Sequence, residues 1–360
     1  MGSFGDHEDG QSVQLDSPPA SSINLRVQED GKDGRENGDE LIARLEDRGG
    51  SDLSPGVYEG GFKTWECAVD LACFLASLFK PGEQLHRLRR WFDSAFESGI
   101  TVVELGAGSA VPALTLLEYL LSRQSYDTER DENGALEEPT LSSHRFMLCD
   151  YNLAVLKLVT CVNVLLNLEK SRHMSQKTDD DENDLKGHED EGELNNLDAS
   201  LLQAIEQKLN YARIDIKFIS GAWSKGLVDL CFPLSASAEC REEPKEKQRG
   251  PVLVLASETI YSPDSLIRFI TTLLSLLHRG GPDSRALVAA KRIYFGVGGG
   301  VDIFIREVQS QNNDVSVEVV QEVKSDQGGI GGGIGRVILE VKLNNITHNS
   351  PSCADREYKV

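Results

Sequence analysis

The segment Thr101-Val-Val-Glu104-Leu-Gly106-Ala-Gly108-Ser-Ala-Val111-Pro112 constrains the chain more than any other. A β-branched run ends in an acid and two glycines, and the helix-forming run Ala113 to Arg123 follows at once. That order predicts a strand over 101–105, a tight turn, and a helix over 110–122 with Pro112 in its first turn, where the missing N–H is tolerated. Glycines in such a turn let the backbone approach a ligand, and the helix behind them presents free N–H groups. Dinucleotides and S-adenosylmethionine both use a corner of this kind. The dinucleotide fingerprint wants a third glycine where Val111 stands, and it sets phosphate charge where Glu104 would repel it. A sulfonium and an ammonium suit an acidic strand end better. The plain alternative is a glycine turn that merely joins strand to helix.

Strand and helix go on alternating along the chain. Before the turn, helices are predicted at about 67–79, with Leu71, Leu75 and Leu78 on one face, and at 85–96. After it come a strand over His144 to Cys149, a helix at about 153–168 and another near 198–209. A strand over Ile214 to Ile219 follows, then an apolar strand over Val252 to Ala256 and a helix from Pro263 to about Leu277. A strand over Ala286 to Lys291, a glycine turn at 296–300 and a helix over Val301 to Ser310 precede two alternating strands, Ser316 to Val323 and Arg336 to Leu343. The glycine run at 328–335 between those two lacks a following Lys-Ser/Thr and opens no helix, so it reads as a flexible hairpin rather than a phosphate loop. The expected fold is α/β: a doubly wound, mostly parallel, seven-stranded sheet with helices on both faces and a C-terminal antiparallel hairpin.

In such sheets a ligand sits beyond the carboxyl ends of the strands. Polar and aromatic residues collect at four of those ends: Glu104 with Gly106, Asp150 with Asn152, Gly221 with Trp223, and Ser257 with Glu258 and Tyr261.

The net charge is −21, and it is uneven. Residues 1–50 hold twelve acids against five bases, and residues 178–193 nine against one. Stretches this acidic are expected to be solvated and disordered, and they disfavour nonspecific nucleic-acid binding. The organisation expected is a disordered tail over 1–50, a single domain over 51–343 with acidic insertions near 124–140, 170–196 and 235–250, and a flexible tail over 344–360. A short helix is placed at Glu40 to Asp47. No apolar run approaches the ~18 residues of a membrane span, and Met1 to Asp9 has neither a basic nor an apolar signal region. The seven cysteines contain no C-x-x-C pair and no metal-ligand spacing with histidine, so reduced thiols of an intracellular protein are expected.

Four segments together resemble the protein-histidine N-methyltransferases: Gly56-Val-Tyr-Glu-Gly-Gly-Phe-Lys-Thr-Trp-Glu-Cys67, Glu104-Leu-Gly-Ala-Gly108, Cys149-Asp-Tyr-Asn152, and Ser257-Glu-Thr-Ile-Tyr261. The resemblance covers about residues 51–343, and its specific part is the first segment. It implies the seven-strand, Rossmann-like class I methyltransferase fold and S-adenosylmethionine as cofactor. The implied activity is tele-methylation of a histidine in a large-subunit ribosomal protein. The partner would be a protein, with no direct nucleic acid and no membrane, met in the cytoplasm and nucleus. Ala107 stands where the family often has cysteine.

The resemblance implies that Trp65 and Glu66 line the cofactor pocket. A tryptophan face suits a sulfonium or adenine, and a carboxylate can hold an ammonium. Gly106 and Gly108 would allow close approach, beside Glu104. Asp150 could accept two ribose hydroxyls, its alternative being the N-cap of the next helix. Asn152, Gly221, Trp223 and Ser257 complete the expected cofactor set, with ordinary packing as the alternative for Trp223. Glu258 and Tyr261 are the catalytic candidates, Glu258 as acceptor from the second ring nitrogen of a substrate histidine. Its alternative is a structural carboxylate paired with Lys63 or Arg292. The rival functions are a lysine methyltransferase of the same fold and a nonenzymatic binding module.

Overall fold

The computed structural model describes residues 24–27, 60–82, 86–126, 142–174, 199–233, 250–312, 314–323 and 335–344. The helix expected at Glu40 to Asp47, the segment 51–59, most of the acidic insertions, the glycine run at 328–334 and the tail beyond 344 lie outside them.

The strands, in chain order, are β1 (Asn24–Val27), β2 (Thr101–Leu105), β3 (His144–Asp150), β4 (Ile214–Ser220), β5 (Val252–Ser257), β6 (Arg285–Lys291), β7 (Val315–Val323) and β8 (Arg336–Leu343). They form one sheet in the order β1-β4-β3-β2-β5-β6-β8-β7. From β1 to β6 every pairing is parallel, and β8 is antiparallel to both of its neighbours. The seven strands expected are all present, with one antiparallel member. An eighth, β1, pairs with β4 at the edge, from within the first fifty residues, where no strand was expected.

The helices are α1 (Glu66–Leu78), α2 (Arg87–Ser98), α3 (Val111–Tyr126), α4 (Cys161–Met174), α5 (Ala199–Tyr211), α6 (Lys225–Cys231), α7 (Pro263–Gly280) and α8 (Val301–Gln311). Two departures from expectation stand out. A short helix, α6, follows β4, capped by Ser224 Oγ, which accepts from Leu227 N at 3.3 Å. The helix expected over 153–168 is a helical turn, Leu153–Val155, then a π segment, Leu156–Thr160, and only then α4.

The core divides at the sheet. Val102, Phe146, Leu253 and Leu287 point to one side, where α1 to α5 pack. Val103, Met147, Val254 and Val288 point to the other, under α6, α7 and α8. Adjacent residues of a strand thus feed opposite layers, which is why the central strands read as unbroken apolar runs. The long helix α7 shows its ends in sequence: Pro263 opens it, Asp264 lies in its first turn, His278 and Arg279 in its last, and Gly281 follows at φ 83°. Among the described residues no helix is long and apolar enough to cross a membrane.

Candidate functional site

The carboxyl ends of β2, β3, β5 and β6 meet the start of α1. The glycine turn after β2 sits at the centre. Gly106 (φ 68°) and Gly108 (φ 50°) both adopt left-handed backbone. A side chain at Gly106 would also crowd Thr259, with its Cβ 3.2 Å from Thr259 Cγ2. The turn is tied from several directions. Ala107 N donates to Cys149 O at 2.9 Å and Gly108 N to Asp150 Oδ2 at 3.0 Å. Thr160 Oγ1 donates to Gly108 O at 2.6 Å, and Asn163 Nδ2 to Ser109 O at 3.0 Å. Both of these last donors follow from the π segment and the helix after it. π turns recur at functional sites because they re-aim side chains within a helix. Gly61, from the segment ahead of α1, lies against Gly108, so that segment passes over the turn.

Glu104 is fully buried, and its Oε2 accepts from Ala113 N at 3.1 Å, near the start of α3. Burial pushes its carboxyl up to about 8, with nearby Asp150 adding to the effect and the Ala113 bond opposing it. Asp150 is buried as well. Its two oxygens take Gly108 N and Asn152 N, the latter at 2.9 Å. Burial raises it to about 6 against the pull of these bonds.

The expected alternative for Asp150, a helix cap, falls instead to Asn152, whose Oδ1 accepts from Ala154 N at 2.9 Å. Asn152 therefore spends its side-chain oxygen on the backbone. Gly221 N donates to Asp150 O at 3.1 Å, which fixes the end of β4 against that of β3. Trp223 is half-buried and packs edge-on against Phe269, ring centroids 5.0 Å apart.

A second cluster forms where α1 faces the ends of β5 and β6. Trp65 precedes α1, and its ring carries two ammonium groups, Lys63 Nζ at 5.1 Å and Lys291 Nζ at 5.5 Å from the centroid. It is a surface that accepts cations. Lys291 Nζ lies 3.3 Å from Glu66 Oε2 and 3.4 Å from Glu258 Oε1. The expected partners of Glu258, Lys63 and Arg292, are thus replaced by Lys291; Arg292 pairs with Glu322. Tyr261 packs edge-on against Tyr294, 6.3 Å between centroids. Ser257 ends β5 half-buried.

Sequence reasoning missed Lys291, Tyr294, Thr160, Asn163 and Thr259. Lys291 closes β6 where the other candidates close theirs, so the strand-end rule covers it. Thr160 and Asn163 are polar residues inside an apolar helical stretch, which is the signal that was available.

Three buried oxygens at this end of the sheet lack a hydrogen-bond partner: Glu104 Oε1, Thr259 Oγ1 and Glu258 Oε1, the last of which already faces the Lys291 ammonium at 3.4 Å. Glu104 and Thr259 have acceptor capacity to spare. Buried acceptors without donors are costly, and a cationic, donor-bearing ligand removes that cost. With the left-handed glycines and the cation-holding face of Trp65, the residues present fit S-adenosylmethionine.

The histidine protein methyltransferase 1 of Saccharomyces cerevisiae is 29% identical over 298 residues, which is 81% of this chain and 67% of that protein. Its namesake in Schizosaccharomyces pombe is 31% identical over 74% of this chain and 61% of the relative. The Bos taurus homologue is 31% identical over 76% and 55%. Over most of its length this chain is similar to the histidine protein methyltransferases. It spans about two thirds of these relatives' length or less. No protein-family profile matches the chain. Among solved structures, a transferase from Pyrococcus horikoshii has 12% identity and a TM-score of 0.36 over 85% of this chain and 83% of its own. A glycopeptide N-methyltransferase complexed with S-adenosylmethionine has 10% identity and a TM-score of 0.31 over 78% and 98%. At these scores the likeness adds nothing to the topology described above.

Proposed function

We propose that this protein is an S-adenosylmethionine-dependent protein-histidine N-methyltransferase. Relatives sharing that name, from fungi to mammals, support the reaction class. The observation that carries the chemistry is Glu258: a largely buried carboxylate at the end of β5, in ion-pair contact with Lys291 and beside the glycine turn's neighbour Thr259.

The cofactor would be held by Asp150 and the glycine turn, with Glu104 toward its ammonium and Trp65 and Glu66 along its cationic side. When bound it supplies an electrophilic methyl group on a sulfonium. A histidine ring is partly neutral near pH 7, so it needs no strong base, and most of the protein's work is orientation. Glu258 accepts the N–H of the ring nitrogen that does not react. That contact fixes the tautomer and leaves the other nitrogen, the tele position, free to react. As the ring becomes cationic, Glu258 faces it with negative charge, and the ring proton leaves to water after release. Tyr261, edge-on to Tyr294, would contact the substrate beside it.

The finer proposal is a histidine of a basic large-subunit ribosomal protein, met in the cytoplasm and nucleus; the net charge of −21 favours a basic partner. The test is incubation of the full chain with labelled S-adenosylmethionine and separated ribosomal proteins, followed by residue mapping. Methyl on a histidine tele nitrogen is the result expected. Methyl on lysine, or no transfer by protein that binds the cofactor, would overturn the reading. Glu258→Gln should cut the rate by ~10²–10⁴-fold while the cofactor still binds, and Tyr261→Phe should cost less.

A further inference from the structure

We propose that Lys291 is the positioning residue of the acceptor site: its ammonium bridges Glu66 and Glu258 and so holds in place the carboxylate that receives the substrate ring. The inference rests on the proposed transfer to histidine and names the device that prepares it.

The bridge joins elements far apart in sequence. Glu66 opens α1, Glu258 follows β5, and Lys291 ends β6. Two contacts of 3.3 and 3.4 Å put one ammonium between two carboxylates. Glu258 needs such a hold. Its backbone is left-handed, φ 55°, a conformation disfavoured for a residue with a side chain. Its N–H still donates to Ala289 O at 3.0 Å, so the strand ladder runs up to the point where the backbone turns aside. The side chain that results is only 10% exposed, and Oε1 has no hydrogen-bond partner of good geometry. The one cation in ion-pair reach of that oxygen, among the described residues, is the Lys291 ammonium.

The groups around it are settled. From α1, burial pushes the Cys67 thiol up, and Glu258 pushes it further. From the loop after β6, the Tyr294 hydroxyl is pushed up by burial first and then by Glu258, and it accepts from Lys291 N at 3.2 Å. Both stay neutral at physiological pH. Partial burial works against the charge on Lys291, but Glu258 and Glu66 outweigh it and raise the group. Lys63 contributes charge at Glu66, while Asp70 and Arg336 are paired with each other at 2.5 Å. Lys291 is therefore the cation in ion-pair contact with Glu258 among the described residues. Lys291 itself needs no contact with substrate.

The test uses the full-length chain and the variants Lys291→Met, Lys291→Gln and Lys291→Arg. Met and Gln should lower kcat at least tenfold, with KM for a histidine-bearing protein and affinity for S-adenosylmethionine changed less than about threefold. Arg, which keeps the charge, should recover much of the rate. A readout that needs neither cofactor nor substrate is the ¹³C carboxyl resonance of Glu258, assigned by its loss in Glu258→Gln. At fixed neutral pH it should be displaced in Lys291→Met relative to wild type and return toward the wild-type position in Lys291→Arg. An unmoved resonance overturns the inference, whatever the activity. So does a loss of cofactor affinity that matches the loss of rate, which would assign Lys291 to the cofactor. A wild-type protein that methylates no histidine defeats the proposed function instead, and the resonance still reports on the bridge.

Discussion

Thr160 Oγ1 donates to the main-chain carbonyl of Gly108 across 2.6 Å, and both residues are buried. The bond ties the end of the π segment to the turn that the candidate cofactor pocket is built on. Thr160→Val keeps shape and removes the hydroxyl. It leaves the Gly108 carbonyl without that donor, a loss of about 1–3 kcal/mol. The turn should loosen, and affinity for S-adenosylmethionine should fall about tenfold, more than the drop in melting temperature alone accounts for. Thr160→Ser should stay near wild type. Calorimetric titration of both variants decides it; full affinity in Thr160→Val would mean the turn is set by its other ties.

Glu104 offers a sharper test, through protons. Its folded value near 8 lies above its ordinary 4.5, so the folded state binds the extra proton between those limits. The stability this gives is complete below 4.5 and is lost as pH rises through 8. Glu104→Gln removes the dependence. The stability of variant relative to wild type should grow by roughly 1 kcal/mol per pH unit across that interval in cofactor-free protein. At pH 7 wild type should also release a proton on binding the cationic cofactor, seen as a buffer-dependent binding enthalpy. The variant should not. Identical proton release in both proteins would remove Glu104 from the pocket.

Asp150→Ala deletes the acceptor for two backbone N–H groups, Gly108 N and Asn152 N. Cofactor affinity should weaken by about 1–3 kcal/mol. Asp150→Asn keeps an acceptor oxygen for the backbone and should retain more thermal stability than Ala while still losing affinity. Equal affinity in all three proteins would show that Asp150 serves the turn alone.

His144 sets an acid limit. Burial lowers it from 6.5 to about 4, helped by Arg123, and its Nδ1 accepts from Ile100 N at 3.3 Å. The unfolded chain takes the proton near 6.5 and the folded one not until about 4. The contribution is therefore complete above 6.5 and is lost as pH falls toward 4, by up to about 3 kcal/mol. His144→Gln should flatten this limb when melting temperatures are followed from pH 7 to pH 4. A wild-type curve parallel to that of the variant would contradict the assignment.

Much of this fold could be read from the chain because its central strands feed two apolar layers. Val102 and Val103 face opposite sides, so a parallel strand shows as a continuous apolar run between turns. The site was legible to the extent that strand ends could be located: Glu104, Asp150 and Glu258 all stand where expected. Their partners were not. Asp150 and Asn152 are both good capping residues, and only geometry shows that Asn152 caps. Lys291 meets Glu66 and Glu258 through the approach of three separate elements, which no local pattern encodes. The π segment has no signature of its own, since Leu156-Lys-Leu-Val-Thr160 suits an α-helix equally well. Helix α6 is seven residues with Gly226 inside, too short for periodicity to register. Strand β1 is four residues inside an acidic stretch, and its pairing with β4 is a tertiary event.

The place of β8 has a consequence for synthesis. It lies between β6 and β7, although it follows both in the chain. A polypeptide emerging from its N-terminus completes β6 and β7 while the slot between them is still empty. Until Leu343 has been made, β6 presents an unpaired edge, and β7 has no neighbour in the sheet. This end of the sheet is therefore completed last, by late insertion of an antiparallel strand one place in from the edge. During the interval before that insertion, the apolar edge of β6 is the segment most in need of shielding from other chains.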